Sequence, residues 1–309
     1  MFSKNDGTEL LDLWLAVAVI APVGSLYVGN WLTALALIIA CGSVAWLTVK
    51  FGKADNGKLL AGLQCLWLGL LIGKLMPHSL TCWESDSHII PAALLILAAF
   101  GAMHGAERAS RVAAVLFGGV IFIVGIILLV GSKNLRINWL MPKLEWVNYD
   151  LIPIFLLPCL AGLYQRKREG KICAAIAVPG GVLPLLLGGC LSPQVAAGAI
   201  NPLYEYSKSV KLFGVAERVE VLVSCAITAS WFCLFAWLLT AAGQFVENAK
   251  KESRRWGVWG CAAVAVAVYL CNMPISGEML ALGSLLFWVA IPLAAQCFGY
   301  AKKAIKKIN

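Results

Sequence analysis

Two stretches of helix-breaking residues mark where this sequence could do chemistry. Ala21-Pro22-Val23-Gly24-Ser25 interrupts one apolar run, and Pro153 and Pro158 interrupt another. Each proline removes an amide N–H and clashes with the carbonyl four residues back. Inside a bilayer, backbone freed this way survives only where it is buried in protein or lines a cavity. Freed amides at a helix N-terminus attract a carboxylate, so paired breaks suit a zwitterion such as an amino acid. Pro22, Gly24, Ser25 and Phe155 are the ligand contacts expected on the breaks themselves. Ser224 and Thr228 are four apart and share a helix face, offering hydroxyls to a ligand; with Ala21 they make a candidate ion site. Gln64 and Trp67, three apart, supply an amide and an aromatic wall, and Trp231 follows Thr228 in mid-helix. Plainer readings stand beside these: prolines that only kink packed helices, hydroxyls that bond their own helix carbonyls, and tryptophans that pack.

Other chemistries find no footing. There is no nucleophile with a base, no pair of catalytic carboxylates and no phosphate loop after a strand, so no enzyme and no cofactor are expected. Ten of the 11 cysteines fall inside apolar runs without metal-ligand spacing and read as small buried hydrophobes, while Cys82 sits beside Trp83 in a loop. His104, flanked by small residues in Gly101-Ala102-Met103-His104-Gly105, reads as a packing site. His78 and His88 share a polar loop with Glu84 and Asp86, and no metal site is expected there.

The elements that must position these residues follow from composition. The chain has 309 residues, 61% hydrophobic and 13% charged. Soluble proteins hold about 45–50% apolar and about 25% charged residues, which excludes a soluble enzyme or nucleic-acid binder. Cutting at charges and turn clusters gives ten apolar segments: Leu13–Val28, Trp31–Val49, Leu59–Met76, Ile89–Gly105, Val112–Gly131, Leu151–Tyr164, Ile172–Leu191, Val221–Phe245, Trp256–Met273 and Met279–Gly299. The first and sixth are shortest. At 1.5 Å per residue the sixth reaches only about 21 Å across a hydrocarbon core of about 30 Å. Ten segments divide into two sets of five, residues 1–145 and 146–309, with the second set inverted. Many secondary transporters have that arrangement, with their sites at broken helices in matching positions of the two halves.

Charge placement fixes orientation. With a cytoplasmic N-terminus, Lys50, Lys53 and Lys58, Arg108 and Arg111, Arg166 to Lys171, Lys250 to Arg255 and Lys302 to Lys307 all fall inside, as the positive-inside rule requires. The C-terminus is then cytoplasmic too, and the net charge of +9 reports topology rather than a nucleic-acid partner. Asp6, Glu9 and Asp12 stand where a cleavable leader would be basic, so the first segment is expected to remain. Glu217, Arg218 and Glu220 open the eighth segment at the outer face, as a helix cap or a subunit contact. No Asp, Glu, Lys or Arg sits at mid-depth of any segment, which leaves no carboxylate relay for protons but leaves sodium open to a carrier.

Several of these residues also carry a family likeness. Gly105-Ala106-Glu107-Arg108-Ala109-Ser110-Arg111, followed after the fifth segment by Asn138-Trp139-Leu140-Met141-Pro142, resembles the G-x-E…R and LLP region of the endospore germination permeases. Asn201-Pro202-Leu203-Tyr204, then Glu217-Arg218-Val219-Glu220 leading into a Trp-bearing segment, is similar to that family's P…ERLE…W stretch. Gly52-Lys53, Gly57-Lys58 and Ile90-Pro91 fall where the family has comparable features. The resemblance runs from residue 30 to residue 245. It implies a ten-helix B subunit of a nutrient germinant receptor, with the LeuT-like five-plus-five fold of the amino acid–polyamine–organocation superfamily. Such a subunit senses a small nutrient, typically an amino acid, in the spore inner membrane, beside an A subunit and a C-subunit lipoprotein. Two rivals share the fold: a cation-coupled amino-acid transporter, and a structural receptor subunit without a ligand.

Overall fold

The computed structural model describes residues 6–25, 58–80, 88–136, 152–157, 186–191, 201–210, 219–250 and 254–294, with isolated positions between them. The described residues are predominantly helical, with no strand among them. In chain order the helices are α1 (Asp6–Ser25), α2 (Lys58–Leu75), α3 (Ile89–Met103), α4 (Ala106–Gly131), α5 (Ile152–Phe155), α6 (Pro202–Ser209), α7 (Val219–Lys250), α8 (Arg254–Leu270) and α9 (Gly277–Leu285). A 3₁₀ turn, Met76–Leu80, extends α2, and a π turn, Leu286–Ala290, extends α9. Most of the expected second and seventh segments, Pro158 and most of the sixth segment after it, and Glu217 and Arg218 lie outside the described residues, as do the side chains of Ser25 and Phe155.

Among the described residues, four helical stretches are long and apolar enough to cross a membrane: Leu59–Leu80, Ala106–Gly131, Val219–Ala249 and Gly277–Ala294. On α4, Val115 and Leu129 are 80% and 74% exposed while Ala113, Val120, Val124 and Ile127 are buried, so one face meets lipid and the other meets protein. This is an integral membrane protein whose described residues are predominantly helical.

At 32 residues α7 is the longest element, about 48 Å at 1.5 Å per residue. It runs through the middle of the bundle, packed by α1, α2, α3, α4, α6 and α8. Trp231, Phe235 and Trp237 on it are fully buried. A second close contact joins α2 to α8. Cys65, Gly69 and Gly73 recur every fourth residue on α2, opposite Gly257, Cys261 and Ala265 at the same interval on α8. A Cβ on Gly69 would lie 3.0 Å from the Cys261 carbonyl, and one on Gly73 would lie 2.6 Å from that of Ala265. Small residues bring backbones into contact this way where lipid gives no hydrophobic drive for helices to associate.

Two boundaries differ from expectation for one reason. The first helix begins at Asp6, not Leu13, and the fifth segment's helix begins at Ala106, not Val112. Acidic residues near each start (Asp6 and Glu9; Glu107) suit a helix N-terminus, so charge marks the membrane edge while the helix runs past it. The first helix is therefore 20 residues long and continuous through Pro22. Between α3 and α4 the chain turns on Gly105 at φ +98°, against the Arg254 guanidinium, a position only glycine fits. The helix α6 was not expected. Its signals were Asn201 at the N-cap, whose side chain accepts from the Tyr204 N–H at 3.1 Å, and Pro202 at the first helical position.

Candidate functional site

The α1–α7 contact gathers the strongest constellation. Ser230 of α7 is fully buried and sits on the backbone of α1, where its Oγ accepts from the Ala21 N–H at 2.8 Å and its O–H donates to the Val17 carbonyl. Val17 and Ala21 are the i, i+4 pair of a regular helical turn. A side chain that bonds both members inserts into that ladder, a recognised cause of local helix distortion. The next rung is missing covalently, because Pro22 has no N–H to return to the Ala18 carbonyl. The Ser230 hydroxyl and Pro22 thus bear on two adjacent rungs, Val17–Ala21 and Ala18–Pro22, of a helix that stays continuous to Ser25.

The surroundings hold this geometry rigidly. One turn earlier, the Trp14 indole N–H donates to the Cys233 carbonyl at 2.9 Å, and the Trp14 ring meets Trp237 edge-on with centroids 4.9 Å apart. Both indoles are buried. Beyond Pro22, Gly24 faces α6: a Cβ there would come within 2.9 Å of Leu203 Cδ2. No charged residue lies between Leu13 and Ser25 on α1 or between Val221 and Val246 on α7, so groups at this site act as dipoles in a low-dielectric interior.

The remaining expected contacts fall elsewhere. Ser224 and Thr228 donate their hydroxyls to the carbonyls of Glu220 and Ser224, four residues back on their own helix. Trp231 is buried with its ring 5.7 Å from Phe235, and its indole N–H has no partner. Gln64 and Trp67 meet α9: the Gln64 amide donates to the Phe287 carbonyl at 3.0 Å, and the Trp67 indole to Ser284 Oγ at 3.2 Å. The Trp67 ring lies on Gly283 and 5.5 Å from the Phe287 ring. Their acceptors lie in or just before the π turn, a wider turn that recurs at functional positions. Pro153 and Ile154 of α5 are buried, and the chain turns at Leu156 directly after this four-residue helix. Glu220 lies in the first turn of α7.

The structure therefore joins Ala21 to Ser230 on one side of the bundle, and Gln64 to Trp67 through α9 on another. The inferred list omitted Ser230, Trp14 and Leu203. A signal for Trp14 was available, since an indole N–H inside a membrane helix needs an acceptor from a neighbour. His104 lies 3.4 Å from Arg108 through Nδ1 and is exposed, and His88 Nδ1 meets the Tyr269 hydroxyl at 2.8 Å. Neither histidine joins the α1–α7 constellation, and no group of three metal-ligating side chains occurs among the described residues.

No family model matches the chain, and no curated protein is similar to it. Among solved structures it is similar to MHP1, a nucleobase-cation-symport-1 family transporter in a closed conformation with bromovinylhydantoin bound. That likeness covers 91% of this chain and 74% of that one, at 17% identity and a TM-score of 0.43.

Proposed function

We propose that this protein is a permease-type membrane protein that binds a small zwitterion, such as an amino acid, where Ser230 of α7 meets the α1 backbone beside Pro22. The observation that carries the proposal is Ser230, bonded to both Val17 and Ala21 immediately before Pro22. A hydroxyl in that position can exchange its backbone partners, donating its O–H to a ligand oxygen or turning its Oγ to a cation, without exposing charge to lipid. The uncharged site suits a ligand whose two charges cancel. Pro22 and Gly24 then lie at the ligand, with Ser25 and Phe155 as proposed neighbours on the two breaks. Thr228 and Trp231 are proposed as an outer wall, and Ala21, Ser224 and Thr228 as the ion-side contacts, while Gln64 and Trp67 stand apart from this site, against α9.

A sensing role is the form we favour over transport. The motifs at Gly105–Arg111 and Asn201–Tyr204, which resemble those of the germinant-receptor B subunit, support it. On that proposal the protein sits in the spore inner membrane with ten helices in a five-plus-five inverted repeat. It works with an A subunit and a lipoprotein, and Glu217, Arg218 and Glu220 serve as a subunit contact. Ligand binding would shift a population of conformations that those partners read.

The test is a thermal-shift screen of the purified protein against free amino acids, paired with uptake into proteoliposomes. A Tm rise with at least one amino acid, absent in S230A, and no concentrative uptake are the expected results. Sodium-dependent uptake would move the protein to the transporter rival. No shift with any amino acid would overturn the binding site and leave the structural-subunit alternative.

A further inference from the structure

We infer that Cys65 and Cys261 form an oxidisable thiol pair, a site where a membrane-dissolved quinone closes a disulfide between α2 and α8. The case rests on the α2–α8 seam and is independent of the proposed ligand site. Cys65 and Cys261 stand on the facing sides of that seam, where Cys65 lies opposite Gly257, one turn before Cys261. Cys65 also donates to the Gly257 carbonyl at 3.4 Å, which anchors its sulfur over the turn that leads to Cys261. Glycines set the backbone spacing: Gly69, one turn beyond Cys65, would meet the Cys261 carbonyl at 3.0 Å if it carried a Cβ. Disulfides need Cα atoms about 4.4–6.8 Å apart, and helices usually pack with axes about 8–10 Å apart. A pair on helices in backbone contact is therefore a candidate where an ordinary helix pair is not.

The surroundings select the oxidant. Both sulfurs are buried, Cys65 at 9% and Cys261 at 0% exposure, and water-soluble disulfides have no route to them. The outer flank of the seam is open to lipid, however. Leu63 and Leu66 beside Cys65 are 43% and 49% exposed, and Gly62 and Gly260 have nothing within 4 Å of where a Cβ would stand. A lipid-soluble quinone can approach over those glycines. The step balances as a two-electron, two-proton exchange: both S–H bonds break, one S–S bond forms, and the quinone leaves as hydroquinone. The product is neutral and carries no thiol donor, so it suits the apolar seam. It would pin the turn of α2 that presents Gln64 and Trp67 on either side of Cys65.

The experiment uses the full chain in lipid nanodiscs, treated with a short-chain benzoquinone, then denatured, alkylated, digested and analysed by mass spectrometry. The expected result is a reductant-sensitive peptide pair linking Cys65 to Cys261, lighter by two hydrogens. Alkylation at both positions should be lost, with one hydroquinone released per link. The pair should form faster than with a charged, water-soluble thiol oxidant. In C261S the link should vanish and Cys65 should be recovered alkylated. The inference is overturned if wild-type Cys65 and Cys261 stay alkylatable while exposed Cys225 and Cys271 are consumed, or if Cys65 links to a different cysteine. Because the wild-type protein alone gives the decisive reading, a variant that failed to fold would not obscure it.

Discussion

Replacing Ser230 with alanine removes one oxygen and, with it, two buried hydrogen bonds to the α1 backbone. A typical hydrogen bond contributes about 0.5–1.5 kcal/mol net, and a buried group left unsatisfied costs about 1–3 kcal/mol. If α1 could close its ladder, the Ala21 N–H would return to the Val17 carbonyl and the net loss would fall to about 1 kcal/mol. Trp14 and Trp237 brace one side of that turn, and Pro22 fixes the other. Closure is therefore opposed, and we expect a loss of roughly 2–3 kcal/mol. At about 2–4 °C per kcal/mol for a large domain, S230A should lower Tm by roughly 4–12 °C. The control is Thr240→Val, which deletes a hydroxyl just as deeply buried on the same helix. Thr240 donates only to the Ala236 carbonyl of its own helix, so its loss should leave Tm nearly unchanged. Scanning fluorimetry of both variants in one detergent decides the matter. Equal Tm losses, or no loss in S230A, would refute the claim that Ser230 ties α7 to the α1 backbone.

Three further outcomes follow from the packing. Gly73→Ala should be severely destabilising, because its Cβ would meet the Ala265 backbone carbonyl at 2.6 Å, whereas Gly118→Ala on α4, with open space around it, should hold or raise Tm by its better helix propensity of about 1 kcal/mol. Asn201→Ala should remove the α6 cap at a cost of about 1 kcal/mol, read as faster amide exchange over residues 202–209 with the rest of the chain unchanged. Trp67→Phe keeps a ring against Phe287 but loses the bond to Ser284, so thermal stability should fall by an amount matching one hydrogen bond of about 1 kcal/mol; if the fall is absent while amino-acid affinity drops, Trp67 contacts ligand rather than α9.

Much of the fold was legible because its signals are local. Apolar length located the helices, and the longest segment became the central helix. The charges at Asp12 and Arg111, where the apolar runs begin, misplaced two helix starts, since hydropathy reports where the membrane ends and not where the backbone stops coiling. The candidate site was harder. Pro22 drew notice to α1 because a missing N–H can be read from one residue, although the helix runs on through it to Ser25. Ser230 could not be singled out from Ser224 and Thr228: all three are hydroxyls near the middle of one apolar run, and only the rotation of α7 against α1 decides which hydroxyl meets a foreign carbonyl. The close α2–α8 seam was hidden for the same reason. The spacing of Cys65, Gly69 and Gly73 names a face but not the helix that covers it.

The contacts around α1 form a closed circuit, and this gives the Val17–Ala21 turn a reach beyond its own site. Ser230 and the Cys233 carbonyl tie α1 to α7; past Pro22, Gly24 takes Leu203 of α6 at would-be contact distance. Three residues on from Leu203, Tyr206 seats its ring on Gly131 at the end of α4, so closely that no Cβ fits there, and α4 packs back against α1. Packed interiors do not compress. A ligand that took over the Ser230 hydroxyl and reset the Val17–Ala21 turn would therefore move Gly24 against Leu203, and α6 could yield only by shifting Tyr206 on Gly131. The short helix that sequence reading passed over is the element through which occupancy at α1 would reach the surface. Gly131→Ala should uncouple the two by lifting Tyr206, leaving ligand-induced Tm shifts in place while abolishing ligand-induced changes in amide exchange along α6. Loss of both together would place α6 inside the binding site itself rather than downstream of it.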